Sequence, residues 1–335
     1  MISIDDNGQI PTCECPQCFL CGSDGDLIHV GMKDRLYQVQ GVWNSRKCRN
    51  ESCGLVWLDP MPRQEEIHRV YATYYTHQEK DRKAHAGLMK SLHERLLRAQ
   101  KRLLKAFIGS RAERENHYLM YLSGVRPGRL LEIGCGNGRR LSRLQAMGWQ
   151  AEGQEVDEKA WAAAREKYHL QVHLGELKTL SLGEATYDAV VMSHVIEHVH
   201  EPVELLAEVR RLLKPGGILV VTTPNAESQA HGIFKENWFS LEPPRHLYIY
   251  STRSIARLAM LSGLSNFEIW TTNVNSDFIA AASLKIKSKG NMKFKEDGIS
   301  KQRRILTGLY FQLWASTSSP YLPEYGEECV LKSIR

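Results

Sequence analysis

The sequence predicts an α/β fold, a doubly wound parallel sheet behind a small cysteine-rich module. Three observations predict it. From residue 129 onward, short and nearly continuous apolar runs alternate with helical patterns, as in parallel sheets buried on both faces. A glycine-rich loop, Gly134-Cys135-Gly136-Asn137-Gly138, directly follows the first of these runs. Six of the eight cysteines lie within the first 53 residues. At 335 residues, 42% hydrophobic and 24% charged, the chain has ordinary globular composition and length for about two domains. A wholly disordered chain is excluded, as is a span of about 18 consecutive apolar residues. The start, MISIDDNGQI, has no basic end and no apolar stretch, so a secretory signal is not expected. The expected compartment is the cytoplasm, where thiols stay reduced.

Three regions are expected. Residues 12–62 form the cysteine module, expected to have a core of its own, and end at the turn Asp59-Pro60-Met61-Pro62. Residues 63–124 form a helical, basic linker: EEIHRVYATYY is one short helix, and leucines near spacings of three and four extend a second pattern over 83–122. The turn Val125-Arg126-Pro127-Gly128 opens the third region, 125–335. RLLEI (129–133) is its first strand, followed by the glycine loop and a helix through Met147. QAEGQEV (150–156) is the second strand, and DEKAWAAAREKY a helix that Asp157 caps. LQVHL and YDAVVMS (187–193) are strands three and four. EPVELLAEVRRLLK is a helix stopped by Pro215-Gly216-Gly217, and GILVVTT (217–223) is strand five. TRSIARLAMLSG is a helix with Gly263 past its end, NFEIWT (266–271) is strand six, and GEECVLKSI (326–334) closes the fold. Residues 277–320 form a helical, irregular insertion.

The net charge of +6 is unevenly spread. Residues 80–114 hold eleven Lys/Arg against three Asp/Glu, and residues 285–304 hold eight against two. Such blocks attract phosphate groups, although a solvated helix face has the same composition.

Cys18-Phe19-Leu20-Cys21-Gly22 and Cys48-Arg49-Asn50-Glu51-Ser52-Cys53-Gly54 form two pairs separated by 26 residues. Two short loops presenting two thiolates each suit tetrahedral zinc, and glycine after each second cysteine permits the tight turn. Four cysteine ligands imply a closed, structural site of Cys18, Cys21, Cys48 and Cys53. The four-residue gap in the second pair departs from the usual two, and Cys13 with Cys15 offers a competing first pair or two spare thiols.

The glycine loop lets the backbone turn tightly and approach a ligand, with the N–H groups of the next helix exposed beyond it. Glu155 ends strand two, 19 residues after Gly136, where an acid accepts hydrogen bonds from ribose hydroxyls. The pair points to a nucleoside-containing cofactor. The spacing is G-x-G-x-G rather than the dinucleotide G-x-G-x-x-G, and Glu132 would repel a pyrophosphate. A ligand with a cationic end, such as S-adenosylmethionine, suits it better.

LLEIGCGNGRRL, GQEVDEKA, YDAVVMSHVIEHVHEP and LLKPGGILVVTTPN, in that order, resemble the successive motifs of class I S-adenosylmethionine-dependent methyltransferases, in the branch of the ubiquinone-biosynthesis O-methyltransferases. The resemblance covers about 129–271. It implies a seven-stranded Rossmann-like sheet whose last strand is antiparallel. It also implies a methionine end wrapped by Gly134, Gly136 and Gly138, an amino group held by Glu132, ribose on Glu155 and adenine bordered by Glu176 and Leu177. Cys135, Val156, Ser193 and His194 complete the implied cofactor-lining set. CGLVWLDPMP resembles the zinc-binding leader that precedes some methyltransferase domains of this branch.

His194-Val195-Ile196-Glu197-His198 follows strand four, on the side where the acceptor would sit. It also matches the H-x-x-E-H protease motif, whose mid-helix setting is absent here. In ubiquinone-type relatives an acid stands where His194 does and a divalent metal is associated with the segment, so a second metal near His194, Glu197 and His198 is an open expectation. Glu242-Pro243-Pro244-Arg245-His246 lies in the loop after strand five. There Arg245 is expected to grip an anionic part of the acceptor, His246 to act as base, and His198 to back it up.

The resulting expectation is a methyltransferase acting on a small molecule: a sugar, quinone, polyketide or lipid-linked intermediate. One rival is an RNA methyltransferase docking nucleic acid on the zinc module and the basic helix. The other is a non-catalytic cofactor-binding scaffold. A homodimer is compatible with either.

Overall fold

A computed structural model describes residues 10–71, 110–291 and 324–335. The leader is built from short antiparallel strands: β1 (Thr12–Cys13), β2 (Gly25–Met32), β3 (Trp43–Cys48), β4 (Val56–Asp59) and β5 (Met61–Pro62). Along β3, Trp43 and Ser45 share the inward face, and Cys48 at the strand's end is buried out of that phase, toward the cysteine cluster. β1 pairs with β5, while β2, β3 and β4 pair in sequence order.

The main sheet contains β6 (Arg129–Ile133), β7 (Gln150–Glu155), β8 (Gln171–Leu174), β9 (Tyr187–Ser193), β10 (Leu213–Pro224), β12 (Phe267–Thr272) and β13 (Glu328–Ile334). Their order is β12-β13-β10-β9-β6-β7-β8. β6 to β10 pair in parallel, and β13 runs antiparallel to both β10 and β12. The expected seven-stranded, doubly wound sheet with an antiparallel last strand is the observed fold.

Buried strands send alternate residues to opposite faces, and the core divides accordingly. Leu131, Ile133, Val190, Met192, Leu219 and Val221 enter one cluster, and Leu130, Ala189, Val191 and Val220 the other. The flanking helices are capped as their sequences dictate. Asp157 accepts the Ala160 N–H at 2.8 Å ahead of Glu158–Tyr168, and Ser251 with Ser254 forms a reciprocal cap ahead of Thr252–Leu261. The helix over Pro202–Leu212 ends two residues before its expected stop, because Leu213 already pairs with Tyr187 in β10.

One expectation is corrected. The leader does not have a core of its own: Cys18, Leu20, Cys48, Cys53, Leu55, Trp57 and Met61 pack in one continuous cluster with Leu131, Val190, Leu247, Tyr250 and Ile255. A fourth strand, β11 (Tyr248–Ile249), comes from the large domain and pairs with β4 through Tyr248↔Trp57 and Ile249↔Val56. A leader of about 50 residues buries too little surface alone, so it completes its sheet and core on its neighbour.

Of the expected helix over 83–122, the described residues show Ser110–Tyr118, and residues 83–109 with most of the first basic block lie outside them. The insertion begins with the helix Ser276–Lys289, and 292–320 likewise lies outside them. No helix of the described residues is long and apolar enough to cross a membrane.

Candidate active site

The glycine loop leaves the carboxyl end of β6 with Gly134, Gly136 and Gly138 all left-handed, at φ of 64°, 54° and 74°. A Cβ on Gly134 would lie 2.5 Å from Val195 Cγ2, and one on Gly138 would lie 2.5 Å from Leu170 Cδ1. Both therefore need glycine for space as well as for conformation. Glu155 fastens the loop from the end of β7. Its carboxylate accepts the N–H groups of Gly136 at 2.7 Å, Val156 at 2.8 Å and Asp157 at 3.0 Å.

Glu132 is buried under the loop. One carboxylate oxygen accepts from Arg140 at 3.1 Å, and the other is buried with no hydrogen-bond partner among the described residues. Burial pushes its pKa up to about 7 against the pull of Arg140. Arg140 also donates to Ser193 Oγ at 3.1 Å and to the Tyr118 carbonyl at 3.0 Å, fixing the loop to the end of β9. An orphaned acceptor beneath a glycine cradle fits a ligand with an ammonium group. Val156 is exposed at the rim, Leu177 is buried, and Glu176 is an exposed acid 3.4 Å from Lys178. Cys135 lies buried against Gly153, where a Cβ would come 2.6 Å from its sulfur, and burial raises its thiol pKa. Cys135 therefore packs the loop through its side chain.

On the other side of β9, His194 is left-handed at φ 55°. Its ring bridges two buried carboxylates, Glu197 at 3.1 Å and Glu328 at 2.7 Å. Burial opposes the charge, but Glu328 and Glu197 hold the imidazolium pKa up to about 10. Burial also works against Glu197, and His194 brings its pKa down to about 2. Glu328, on β13, further accepts from Asn275 at 3.0 Å and lies 2.8 Å from His117. His194 thus has both ring nitrogens committed to protein carboxylates.

His198 and His246 differ. His198 Nδ1 donates to the Arg245 carbonyl at 3.0 Å, and His246 Nδ1 donates to the Ser240 carbonyl at 2.8 Å. A carbonyl only accepts, so each proton sits on Nδ1 and each Nε2 keeps its lone pair. The Tyr71 hydroxyl also lies 3.0 Å from His198 Nδ1. Burial lowers both histidine pKa values to about 4, so both are neutral at pH 7. The rings sit 4.6 Å apart, and Glu197, His198 and His246 each bring one donor atom within 4.8 Å of the others. The metal-ligand type of cluster expected around His194 therefore forms instead with His246 as its third member.

Arg245 has a different task from the expected one. It is fully buried, donates to Asp34 through both terminal nitrogens at 2.8 Å, and donates through Nε to Glu242 at 2.8 Å. Its guanidinium also stacks on Tyr37 at 4.5 Å. A guanidinium so committed grips the leader, not an acceptor.

The leader brings Cys18, Cys21, Cys48 and Cys53 together with all four sulfurs within 4.8 Å of one another. Cys18 and Cys53 sulfurs are 3.7 Å apart and those of Cys21 and Cys48 are 3.4 Å apart. Thiolates about 2.3 Å from a zinc ion give edges of about 3.8 Å. The long gap of the second pair closes because Asn50 accepts from Ser52 at 3.0 Å while the Cys53 N–H returns to the Asn50 carbonyl at 2.9 Å. Gly22 and Gly54 take φ of 72° and 70°, as the knuckle turns require. The hydrogen bond from Cys18 lowers Cys53 to about 5 despite burial, so the cluster already favours a thiolate. Cys13 and Cys15 pair with each other at 3.8 Å, apart from the four.

A family profile described as a methyltransferase domain matches residues 98–269, just over half of the chain. The chain belongs to that family. Relatives of this methyltransferase-family chain include a probable S-adenosylmethionine-dependent methyltransferase of Mycolicibacterium smegmatis, 35% identical over 97 residues, 29% of this chain and 38% of the relative. A ubiquinone biosynthesis O-methyltransferase of Maricaulis maris is 32% identical over 121 residues, 33% of this chain and 48% of the relative. The chain thus spans between about a third and a half of these relatives' length. Among solved structures, a SAM-dependent methyltransferase of Thermotoga maritima described as a possible histamine N-methyltransferase aligns with 21% identity and a TM-score of 0.44, over 73% of this chain and 98% of that one.

Four residues of the site escape the sequence reading: Glu328, Arg140, His117 and Asp34. The signal for Glu328 is present, since an acid inside an apolar strand must find a partner. For Asp34 the sequence holds none, because its partner stands 211 residues away.

Proposed function

We propose that this chain is an S-adenosylmethionine-dependent methyltransferase that acts on a small-molecule acceptor, with a structural zinc ion in its leader. One observation carries the reading. The carboxyl edge of a single sheet presents a glycine cradle over the orphaned oxygen of Glu132 and, beyond β9, two neutral histidines whose Nε2 lone pairs are not hydrogen-bonded among the described residues, that of His246 lying 3.8 Å from a Glu242 carboxylate oxygen.

Bound S-adenosylmethionine supplies a methyl group on a sulfonium, which needs no further activation as a leaving group. Glu132 takes the amino end, Glu155 the ribose, and Val156 with Leu177 the adenine. The work left to this chain is to align the acceptor, which can supply ~7–11 kcal/mol, and to remove its proton. His246 Nε2 is the base in this reading and His198 its backup. Proton removal of this kind contributes about 10²–10⁴-fold. The ubiquinone biosynthesis O-methyltransferase relatives support an oxygen as the attacking atom. The near-complete burial of His246, 6% exposed, supports a slender group rather than a polymer.

A labelled-methyl screen against metabolite extract tests the activity. His246→Ala should lower turnover about 10²-fold or more with cofactor affinity unchanged. Full activity of both His246→Ala and His198→Ala would exclude a histidine base.

The convergence of Glu197, His198 and His246 favours a second reading, a divalent cation held by that trio and polarising the acceptor oxygen. A mild chelator that spares the four-thiolate zinc would then abolish turnover, and added divalent cation would restore it in the parent but not in His246→Ala.

A further inference from the structure

Asp34 lies between β2 and β3, and its side chain is fully buried. Its Oδ1 accepts the N–H groups of Leu36 at 2.9 Å and Tyr37 at 3.0 Å, and its Oδ2 that of Val39 at 3.1 Å. These bonds fix the carboxylate in its own loop. Both oxygens are then offered to Arg245 in a bidentate fork at 2.8 Å each. Such forks fix orientation as well as contributing energy.

The reach of that fork extends past Arg245. The Arg245 carbonyl is the acceptor that fixes the proton of His198 on Nδ1. The next residue is His246, whose Nδ1 is fixed by Ser240 within the same loop. The Leu247 N–H donates to the Glu197 carbonyl at 2.8 Å, joining this loop to the post-β9 segment. One buried ion pair across 211 residues therefore anchors the loop whose carbonyl at Arg245 accepts from His198 and whose next residue is His246. The cofactor side is held separately: the glycine loop, Glu132 and Glu155 are fixed by Arg140 and by backbone N–H groups.

We propose that Asp34 is a positioning residue for the acceptor half of the site: through Arg245 it holds His198 and His246 in the tautomer and place that leave their Nε2 atoms free. The cysteine-rich leader is then a built part of the acceptor site. This rests on the reading that His198 and His246 face the acceptor. It holds equally if their Nε2 atoms bind a cation, because either role needs the proton on Nδ1.

The test uses the full chain with its zinc content measured. Nitrogen-15 spectra of the imidazoles report which ring nitrogen carries the proton, and calorimetric titration with S-adenosylhomocysteine reports the cofactor side. Asp34→Asn keeps the shape and removes the charge. Asp34→Glu keeps the charge, so that no bare guanidinium is buried, and pushes the fork out of register by one methylene. In either variant the His198 signal is expected to change from one tautomer to a mixture and the His246 signal to shift. S-adenosylhomocysteine affinity should stay within about twofold and zinc at the parent's level. Unchanged histidine spectra in a zinc-loaded variant would overturn the proposal. Loss of S-adenosylhomocysteine binding in both variants would also overturn it, by showing that Asp34 supports the whole fold. Failure of the histidine-base reading looks different: His246→Ala would keep full activity while the spectral response to Asp34 remained.

Discussion

At the scale of single residues, the carboxylates of this chain divide by their partners. Glu155 satisfies three backbone N–H groups of its surroundings, including Gly136 of the glycine loop. Glu155→Ala should therefore loosen the cradle and, in the proposed function, lose the ribose contact with it. The expected cost is about 1.5–3 kcal/mol for charged hydrogen bonds, roughly a 10- to 150-fold loss of S-adenosylmethionine affinity by calorimetry. Glu327 is the opposite case. It is buried, one of its oxygens has no hydrogen-bond partner among the described residues, and burial with the charge of Glu328 raises its pKa from 4.5 to about 8. Between those values the folded chain holds a proton that the unfolded chain has released. Unfolding then releases that proton, and this group's contribution to stability falls as pH rises from about 4.5 towards 8. Glu327→Gln should remove that slope. Its stability relative to the parent, read from thermal midpoints, should improve from pH 5 to pH 8 by at least about 1.4 kcal/mol, a tenfold change in the proton equilibrium. An identical difference at both pH values would contradict the assignment.

At the scale of elements, two glycines with the same backbone geometry separate conformation from space. Gly134 and Gly216 are both left-handed, at φ 64° and 78°. A Cβ at Gly216 meets nothing within 4 Å among the described residues, whereas one at Gly134 meets Val195 at 2.5 Å. Gly216→Ala should cost only the backbone penalty of about 1–2 kcal/mol and leave cofactor binding intact. Gly134→Ala should displace the loop from Val195 and lower cofactor affinity by more than about tenfold, roughly 1.4 kcal/mol. Strands and helices of the main sheet are legible in the sequence because each apolar run is bounded by a cap, a glycine or a proline. β11 is not legible there. Tyr248-Ile249 is two residues long and becomes a strand only because β4 lies alongside it, which no local pattern announces.

At the scale of the molecule, the cysteine cluster and the main sheet share one apolar core. Elemental analysis of protein purified without chelator should find one zinc per chain, and its absence would remove the zinc assignment. Cys48→Ser, or zinc withdrawal, should then unfold leader and sheet in one cooperative transition. Separate cores would instead give an early leader transition followed by an unshifted second one, and calorimetry distinguishes the two.

The sequence by itself determined the sheet, the glycine cradle with Glu132 and Glu155, and the four cysteines. Each depends on residue types at short, fixed spacing, and short spacing constrains geometry almost completely. The tertiary structure alone decided which partners His194 and Arg245 take. His194 has the chemistry of a metal ligand, but Glu328, 134 residues away, occupies its second nitrogen. Arg245 has the chemistry of an acceptor clamp, but Asp34 fills its fork. A titratable side chain takes its role from the charges and carbonyls packed against it, and those arrive from distant strands only when the chain has folded.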